Sequence, residues 1–302
     1  MQAMPELPEV ETVARTLAPH VEGWRFAAVQ VLHKPTLHPQ GLPPQSLVGQ
    51  VVSRVARRGK LLLLHLNSQD DGQDGQQHGR KPATAYAGGK PTILAVHLRM
   101  TGALLPHAAG PDDTPPACGP HTRCVFTLER AGQRQWLFFD DIRTFGKIMP
   151  ATEPLLQQWP FWRNLGPEPL DISVADFAAR LRGKRAIKAV LLDQTVLAGI
   201  GNIYADESLF AARIDPRRPA DSLTGQMTAR LHEAMQAVLT KAIAQCGTSF
   251  RNYRDANGDA GAFQNELLVY GKGGAPCPAC GKALTKATVA GRSTVFCPRC
   301  QK

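Results

Sequence analysis

Two apolar periods run along the chain and change over near residue 150. Before that point, short apolar runs alternate with Pro and Gly breaks: VQVL, VVSRV and KLLLLHL between Val29 and Leu66, then TILAVHLRMTG, CVFTLE and QWLFFDD to about residue 141. Such runs predict strands, and the first part reads as a β-sandwich preceded by one helix around EVETVARTLAPHV. Beyond it, SVADFAARLRG, AIKAVLLDQTVL, IYADESLFAAR and TGQMTARLHEAMQAVLTKAIAQCG carry apolar residues at i, i+3, i+4 and i+7, which predicts helices. The stretch 151–170, with Pro154, Pro160, Pro167 and Pro169, reads as a linker, and a small cysteine-rich module closes the chain. The expected fold class is α+β and multidomain: a sheet domain over 1–150, linker and helical domain over 151–270, and the cysteine module over 271–302. Two segments, 67–92 and 106–121, are rich in Gly, Pro, Asp and Gln and read as mobile surface insertions between strands.

Composition narrows the class of partner. The chain has 302 residues, 43% of them hydrophobic, enough for more than one core. Its best continuous apolar run, Leu61 to Leu66, is strand-sized, so no membrane partner is expected. Lys and Arg exceed Asp and Glu by 35 to 25, a formal charge of +10 that suits a polyanion through phosphate neutralisation. The opening MQAMPELPEVET lacks the basic, apolar and small-residue regions of an export signal. Together with an odd count of seven cysteines, this points to reduced thiols and a cytosolic protein.

Four of those cysteines, Cys277, Cys280, Cys297 and Cys300, form C-x2-C-x16-C-x2-C. Each C-x2-C turn presents two thiolates to adjacent corners of a tetrahedron, and the spacer is long enough for a β-hairpin. The competing reading, two redox pairs, requires a thioredoxin-like βαβ context that is missing, so one structural Zn2+ is expected. KATVAGRSTVF reads as two strands around a turn with Arg292 near its tip, either merely solvated or able to reach a DNA groove or phosphate. Upstream, LLDQTVLAGIGNIYADESLF sets Gly-Ile-Gly-Asn between two predicted helices. Exposed amides at the second helix's N-terminus would form a phosphate-sized anion site, supplemented by Asn202, with Lys184, Arg185 and Lys188 within reach. Alone, such a turn is also an ordinary helix cap.

The motifs PELPEVET, RRGKLLLLHL, HLRMTG, DIRTFG, LGPEPL, AGIGNIYADESLFAARIDP and VYGKGGAPC, followed by the cysteine module, occur in an order that resembles the formamidopyrimidine-DNA glycosylase family. The resemblance covers the chain apart from the two insertions and the first four residues. It implies a β-sandwich, a helix-two-turn-helix domain and a zinc-finger hairpin, with double-stranded DNA in the cleft between them. It also implies a bacterial, nucleoid-associated cytoplasmic monomer that excises oxidised purines such as 8-oxoguanine and formamidopyrimidines, then nicks the strand by β,δ-elimination.

By the same resemblance Pro5 is the nucleophile and Glu6 the acid that protonates the sugar ring oxygen. An N-terminal proline is a secondary amine, so its imine is cationic, and with a reference pKa near 8 it keeps a usable free-base fraction where a lysine near 10.4 does not. Lys60 is implied in β-elimination and Arg292 in δ-elimination; His121, Arg143, Lys184 and Asn202 are implied DNA contacts. Met100, Arg143 and Phe145 would fill the void left by the extruded base, although Met and Phe are more often core residues. The segment 250–263 matches the family's base-capping loop. Pro5 can act only if Met4 is the start and is removed, Met1 to Ala3 then being an artefact. Two alternatives stand beside this reading: an endonuclease VIII-like glycosylase for oxidised pyrimidines, or a non-catalytic zinc-containing protein that binds damaged DNA if residues 1–4 remain.

Overall fold

The computed structural model describes residues 4–68, 90–109, 114–248, 255–259 and 261–302. Most of the 67–92 insertion, residues 110–113 of the second insertion and much of the 250–263 loop lie outside the described residues.

Helix α1 (Leu7–Val21) starts where Glu9 accepts a hydrogen bond from the Glu6 amide at 2.8 Å, with proline in the first turn. Its apolar stripe, Val10, Val13, Ala14, Leu17 and Val21, is fully buried. Around it lie β1 (Arg25–Val31), β2 (Gln50–Arg58), β3 (Leu61–Ser68), β4 (Ile93–His97), β5 (Gly102–Ala108), β6 (Thr122–Arg130), β7 (Gln133–Asp141) and β8 (Lys147–Ala151). They form one antiparallel series in the order β5-β7-β6-β1-β2-β3-β4-β8. Leu104 of β5, Phe126 of β6, Leu62 and Leu64 of β3 and Ile148 of β8 share one core with α1, so the two ends of the sheet enclose the helix stripe. Both edge strands carry a proline, Pro106 in β5 and Pro150 in β8. Residues 37–42 also lie along β8, where His38 N donates to Ile148 O and Leu42 N to Pro150 O, each at 2.8 Å.

The continuous leucine run in β3 reflects burial on both faces. Leu62, Leu64 and Leu66 face α1, while Leu61 and Leu63 face a second cluster with Met149, Ala151 and Leu156. That second cluster explains the proline-rich stretch read as a linker. It folds into α2 (Glu153–Gln158) and α3 (Pro160–Arg163), whose Leu155, Trp159, Phe161 and Trp162 cover the outer sheet face.

The helical half comprises α4 (Val174–Arg180), α5 (Ile187–Leu191), α6 (Asn202–Ala211) and α7 (Gly225–Ala244). Helix α5 is shorter than its apolar pattern predicts because side chains capture the next turn. Asp193 accepts from Thr195 N at 3.0 Å, and Gln194 accepts from Gly199 N and donates to Ile200 O, both at 2.9 Å. Helix α6 is buried from Ile203 to Phe210 rather than amphipathic. The C-terminal hairpin, β9 (Thr285–Val289) and β10 (Arg292–Phe296), turns at Ala290 and Gly291, both left-handed.

Lys188 does not approach the glycine turn as expected from sequence. It is fully buried, pairs with Asp206 at 2.7 Å, and donates to Ser293 O at 3.1 Å and Thr294 Oγ1 at 2.8 Å. Asp206 also accepts from Val295 N at 3.1 Å. The pair therefore stitches α5, α6 and β10 together. Lys188→Ala should destabilise the protein by about 3–5 kcal/mol, because it leaves a buried carboxylate uncompensated. Lys188→Met with Asp206→Leu should recover much of that loss; urea unfolding of both variants checks this.

Candidate active-site cleft

The site begins at Glu6, which is only 3% exposed and sits between the sheet half and the helical half. Its carboxylate accepts from Gly201 N and Ile203 N at 2.9 Å and from Tyr204 N at 3.3 Å. The anion hole expected at the glycine turn is thus present, but the chain's own carboxylate fills it instead of a phosphate. The free amides and partial positive charge of the α6 N-terminus suit either anion, and Glu6 is covalently at hand. Gly201 is required sterically, since a Cβ there would lie 2.3 Å from Glu6 Cδ. At Gly199, with φ +98°, a Cβ would lie 2.8 Å from that of Leu7.

Lys60 lies in the two-residue turn between β2 and β3, not in a strand, and it does not snorkel. Its ammonium is buried and donates to Ile200 O at 2.9 Å. Burial raises the Glu6 pKa to about 7; Lys60 opposes the shift, Glu9 adds to it, and the amides of Ile203 and Tyr204 oppose it. Burial likewise lowers the Lys60 pKa, against the attraction of Glu6 and Glu9, while Arg292 lowers it further.

Three supporting carboxylates escaped the sequence reading. Glu9 is buried and accepts from Glu6 N, from Tyr204 Oη and, at 2.7 Å, from Thr248 N; burial pushes its pKa up. Glu168 fixes the Lys60 turn by accepting from Gly59 N at 2.7 Å, Arg57 Nη1 at 2.6 Å and Arg58 Nη1 at 3.0 Å. Asp141 ties together two loops described below. Their only sequence signal was membership of the PELPEVET, LGPEPL and DIRTFG motifs.

A cavity of about 500 Å³ opens beside Glu6, lined also by Met4, Lys60, Asn202, Tyr270 and Arg292. Pro5 is buried between Met4 and Glu6. Arg292 is exposed at the hairpin turn, and Asn202 Nδ2 donates to the neighbouring Ser293 O at 3.0 Å. Four residues from distant parts of the sequence, Glu6, Lys60, Asn202 and Arg292, thus meet at one opening.

Met100, Arg143 and Phe145 form a group on the loops β4–β5 and β7–β8, and Met100 also lines the cavity beside Glu6. The Arg143 guanidinium donates to Met100 Sδ at 2.8 Å and lies 4.8 Å from the Phe145 ring centroid. Phe145 is 49% exposed, so it is not a core residue. Met100 and Phe145 line a smaller cavity of about 380 Å³ that also reaches Met4. His121, which precedes β6, and Lys184, which precedes α5, are both exposed and line neither cavity.

In the C-terminal module the four Sγ atoms of Cys277, Cys280, Cys297 and Cys300 lie within 4.8 Å of one another. Cys280 and Cys297 are 3.5 Å apart and Cys277 and Cys300 4.0 Å, close to the roughly 3.8 Å edge of a tetrahedron with zinc–sulfur bonds of about 2.3 Å. These thiolates fit one Zn2+ whose coordination shell the protein closes, so the ion is structural.

The model of the formamidopyrimidine-DNA glycosylase N-terminal domain matches residues 4–148, that of the H2TH domain of the same enzyme residues 165–253, and that of the zinc finger found in FPG and IleRS residues 274–302. A formamidopyrimidine-DNA glycosylase of Nitratidesulfovibrio vulgaris is 42% identical, covering 99% of this chain and 100% of that one. Among solved structures, the MutM (Fpg) protein of Thermus thermophilus is 37% identical with a TM-score of 0.79, covering 98% of each chain. A Lactococcus lactis Fpg variant in complex with Fapy-dG containing DNA is 31% identical with a TM-score of 0.80, covering 99% of this chain and 100% of that one.

Glu6 titrates near 7 when folded and near 4.5 otherwise, so between these values the folded chain retains a proton that the unfolded chain releases. Its contribution to stability is full below about pH 4.5 and is lost as pH rises through about 7. Glu6→Gln should flatten the dependence of Tm on pH across that window; an unchanged slope would refute the assignment. Removing zinc with a chelator should abolish amide protection in residues 277–301 while leaving α1 and the sheet protected, as hydrogen exchange would show.

Proposed function

The chain belongs to the formamidopyrimidine-DNA glycosylase family, and from that premise we infer that it is a bifunctional base-excision repair enzyme. It excises oxidised purines, 8-oxoguanine and formamidopyrimidines, from double-stranded DNA and cleaves the resulting abasic site as a lyase. The observation that carries this reading is the carboxylate of Glu6, held near neutrality beside a cavity that also takes in Lys60 and Arg292.

In the proposed sequence, the Pro5 amine forms a bond to deoxyribose C1′ as the C1′–base bond breaks; the base departs with its electron pair and takes up a proton, balancing the one that the amine nitrogen sheds. Glu6, protonated in part at neutral pH, gives its proton to the ring oxygen, opening the sugar to a cationic iminium. With the iminium as electron sink, loss of a C2′ proton expels the 3′ phosphate. Lys60 assists, its lowered pKa enlarging the free-amine fraction. Arg292 serves the following δ-elimination, which expels the 5′ phosphate, and water releases the sugar fragment from Pro5. His121, Arg143, Lys184 and Asn202 contact the DNA backbone or the orphaned base, and Met100, Arg143 and Phe145 enter the void. Zinc supplies no chemistry to these steps; bound to the four cysteines, it rigidifies the hairpin that presents Arg292. We place the enzyme in the bacterial cytoplasm as a monomer, associated with the nucleoid.

The mechanism requires Pro5 to carry a free amine, so Met1 to Met4 must be absent from the active form. Borohydride reduction on a duplex containing 8-oxoguanine should trap a covalent adduct with protein whose intact mass starts at Pro5. Protein retaining Met4, whose Pro5 nitrogen is an amide, should trap at least about a thousandfold less, since removing a nucleophile costs up to roughly a millionfold in rate. Equal trapping by both forms would reject Pro5. Adducts confined to oxidised pyrimidines would favour the endonuclease VIII-like alternative.

A further inference from the structure

The two loops that carry Met100, Arg143 and Phe145 are joined through one buried carboxylate. Asp141, the last residue of β7, is buried, and its Oδ2 accepts from Gly146 N at 2.7 Å. Its Oδ1 accepts from the hydroxyl of Thr101 and, at 3.2 Å, from Arg143 N. Arg143 N also donates to Thr101 Oγ1 at 3.0 Å. Thr101 follows Met100 directly, and Gly146 follows Phe145. Each wedge residue is therefore adjacent to, or is itself, a ligand of this small network.

The network has a conformation to hold. Arg99 and Thr144, the residues before Met100 and Phe145, are left-handed at φ 54° and 59°, which is unfavourable for side chains of these types. Gly146 permits the closure, since a Cβ would lie 3.0 Å from Asp141 Oδ2 and 2.6 Å from the Phe139 ring. The backbone of Asp141 is fixed in turn, because its amide donates to His121 O at 2.9 Å and its carbonyl accepts from Arg123 Nε at 2.8 Å.

We propose that Thr101 and Asp141 are positioning residues that lock the β4–β5 and β7–β8 loops into one preorganised unit, so that Met100, Arg143 and Phe145 enter the duplex together. The inference rests on the reading of those three as void-filling groups. Preorganisation matters because base extrusion costs a few kcal/mol of stacking, and any ordering of the loops at that moment adds to the barrier. Both positioning residues are buried, and neither lines the cavity beside Glu6. Their loss should impair the extrusion step and spare the chemistry.

The test uses full-length enzyme starting at Pro5 and two substrates, a duplex with a paired 8-oxoguanine and a single strand with a preformed abasic site, which needs neither extrusion nor void filling. Thr101→Val removes the donor at constant volume and should slow single-turnover excision from the duplex by at least about tenfold, the order expected for a lost hydrogen bond to a charged acceptor. Cleavage of the single strand should stay within about twofold, and Thr101→Ser, which restores the hydroxyl, should recover the duplex rate. Asp141→Asn should follow Thr101→Val; should it fail to fold, the threonine pair still decides. Equal loss on both substrates, or no loss on either, overturns the proposal. Phe145→Ala separates the premise from the inference. If it leaves duplex excision unchanged, the void-filling reading fails; if it slows excision while Thr101→Val does not, only the positioning role fails.

Discussion

The contact on which the site depends is the carboxylate of Glu6 against the amides of Gly201, Ile203 and Tyr204. It joins the residue after Pro5 to the first turn of a helix nearly two hundred residues away, and so fixes the two halves of the molecule relative to one another. Most of the neighbouring geometry serves that contact. Gly199 and Gly201 clear space for it, Gln194 shapes the turn that presents the amides, and Glu9 holds the Glu6 backbone from the other side. Lys60, anchored on Ile200 O in the same turn, supplies the positive charge that keeps a buried carboxyl within reach of ionisation. A carboxyl with its pKa raised to about 7 is thereby made from the same bonds that hold the halves together.

The hairpin bearing Arg292 depends on a second contact of the same kind. Zinc thiolates close one end of the module, and the buried Lys188–Asp206 pair grips the other through Ser293, Thr294 and Val295. Asn202, the first residue of α6, reaches the same Ser293 carbonyl, so the helix that binds Glu6 at its N-terminus also sets the register of the hairpin. Arg292, distant from Lys60 in sequence, meets it at one cavity because both are referred to the same few residues of α6 and the turn before it.

Much of this was legible in the sequence, for physical reasons that differ by element. The cysteine pairs declare themselves because tetrahedral thiolate coordination dictates their spacing. The strands of the first half show because one or both faces are apolar, and α1 because its stripe has helical period. Lys188 misled because a lysine in a basic, glycine-bearing segment reads as solvent-facing, whereas its partner Asp206 lies on the next helix and could not be paired with it from spacing alone. The glycine turn was correctly read as an anion site, but its occupant comes from the other end of the chain. The prolines of 151–170 suggested a tether; Leu155, Trp159 and Trp162 carry the stronger signal, since that much apolar surface is covered rather than left in water. Asp141 and Glu168 were hidden by chemistry, because an acidic residue ending a strand or following a proline is ordinary until its donors are known.

The edge strands of the sheet carry a further consequence. An open β-edge offers unpaired amides and carbonyls to any passing strand, yet β5 and β8 each place a proline in their short length, and β8 is shielded by the chain at residues 37–42. The sheet is thus terminated at both ends against strand addition. Two copies that meet edge to edge therefore find no free ladder to extend, which keeps proximity from turning into aggregation.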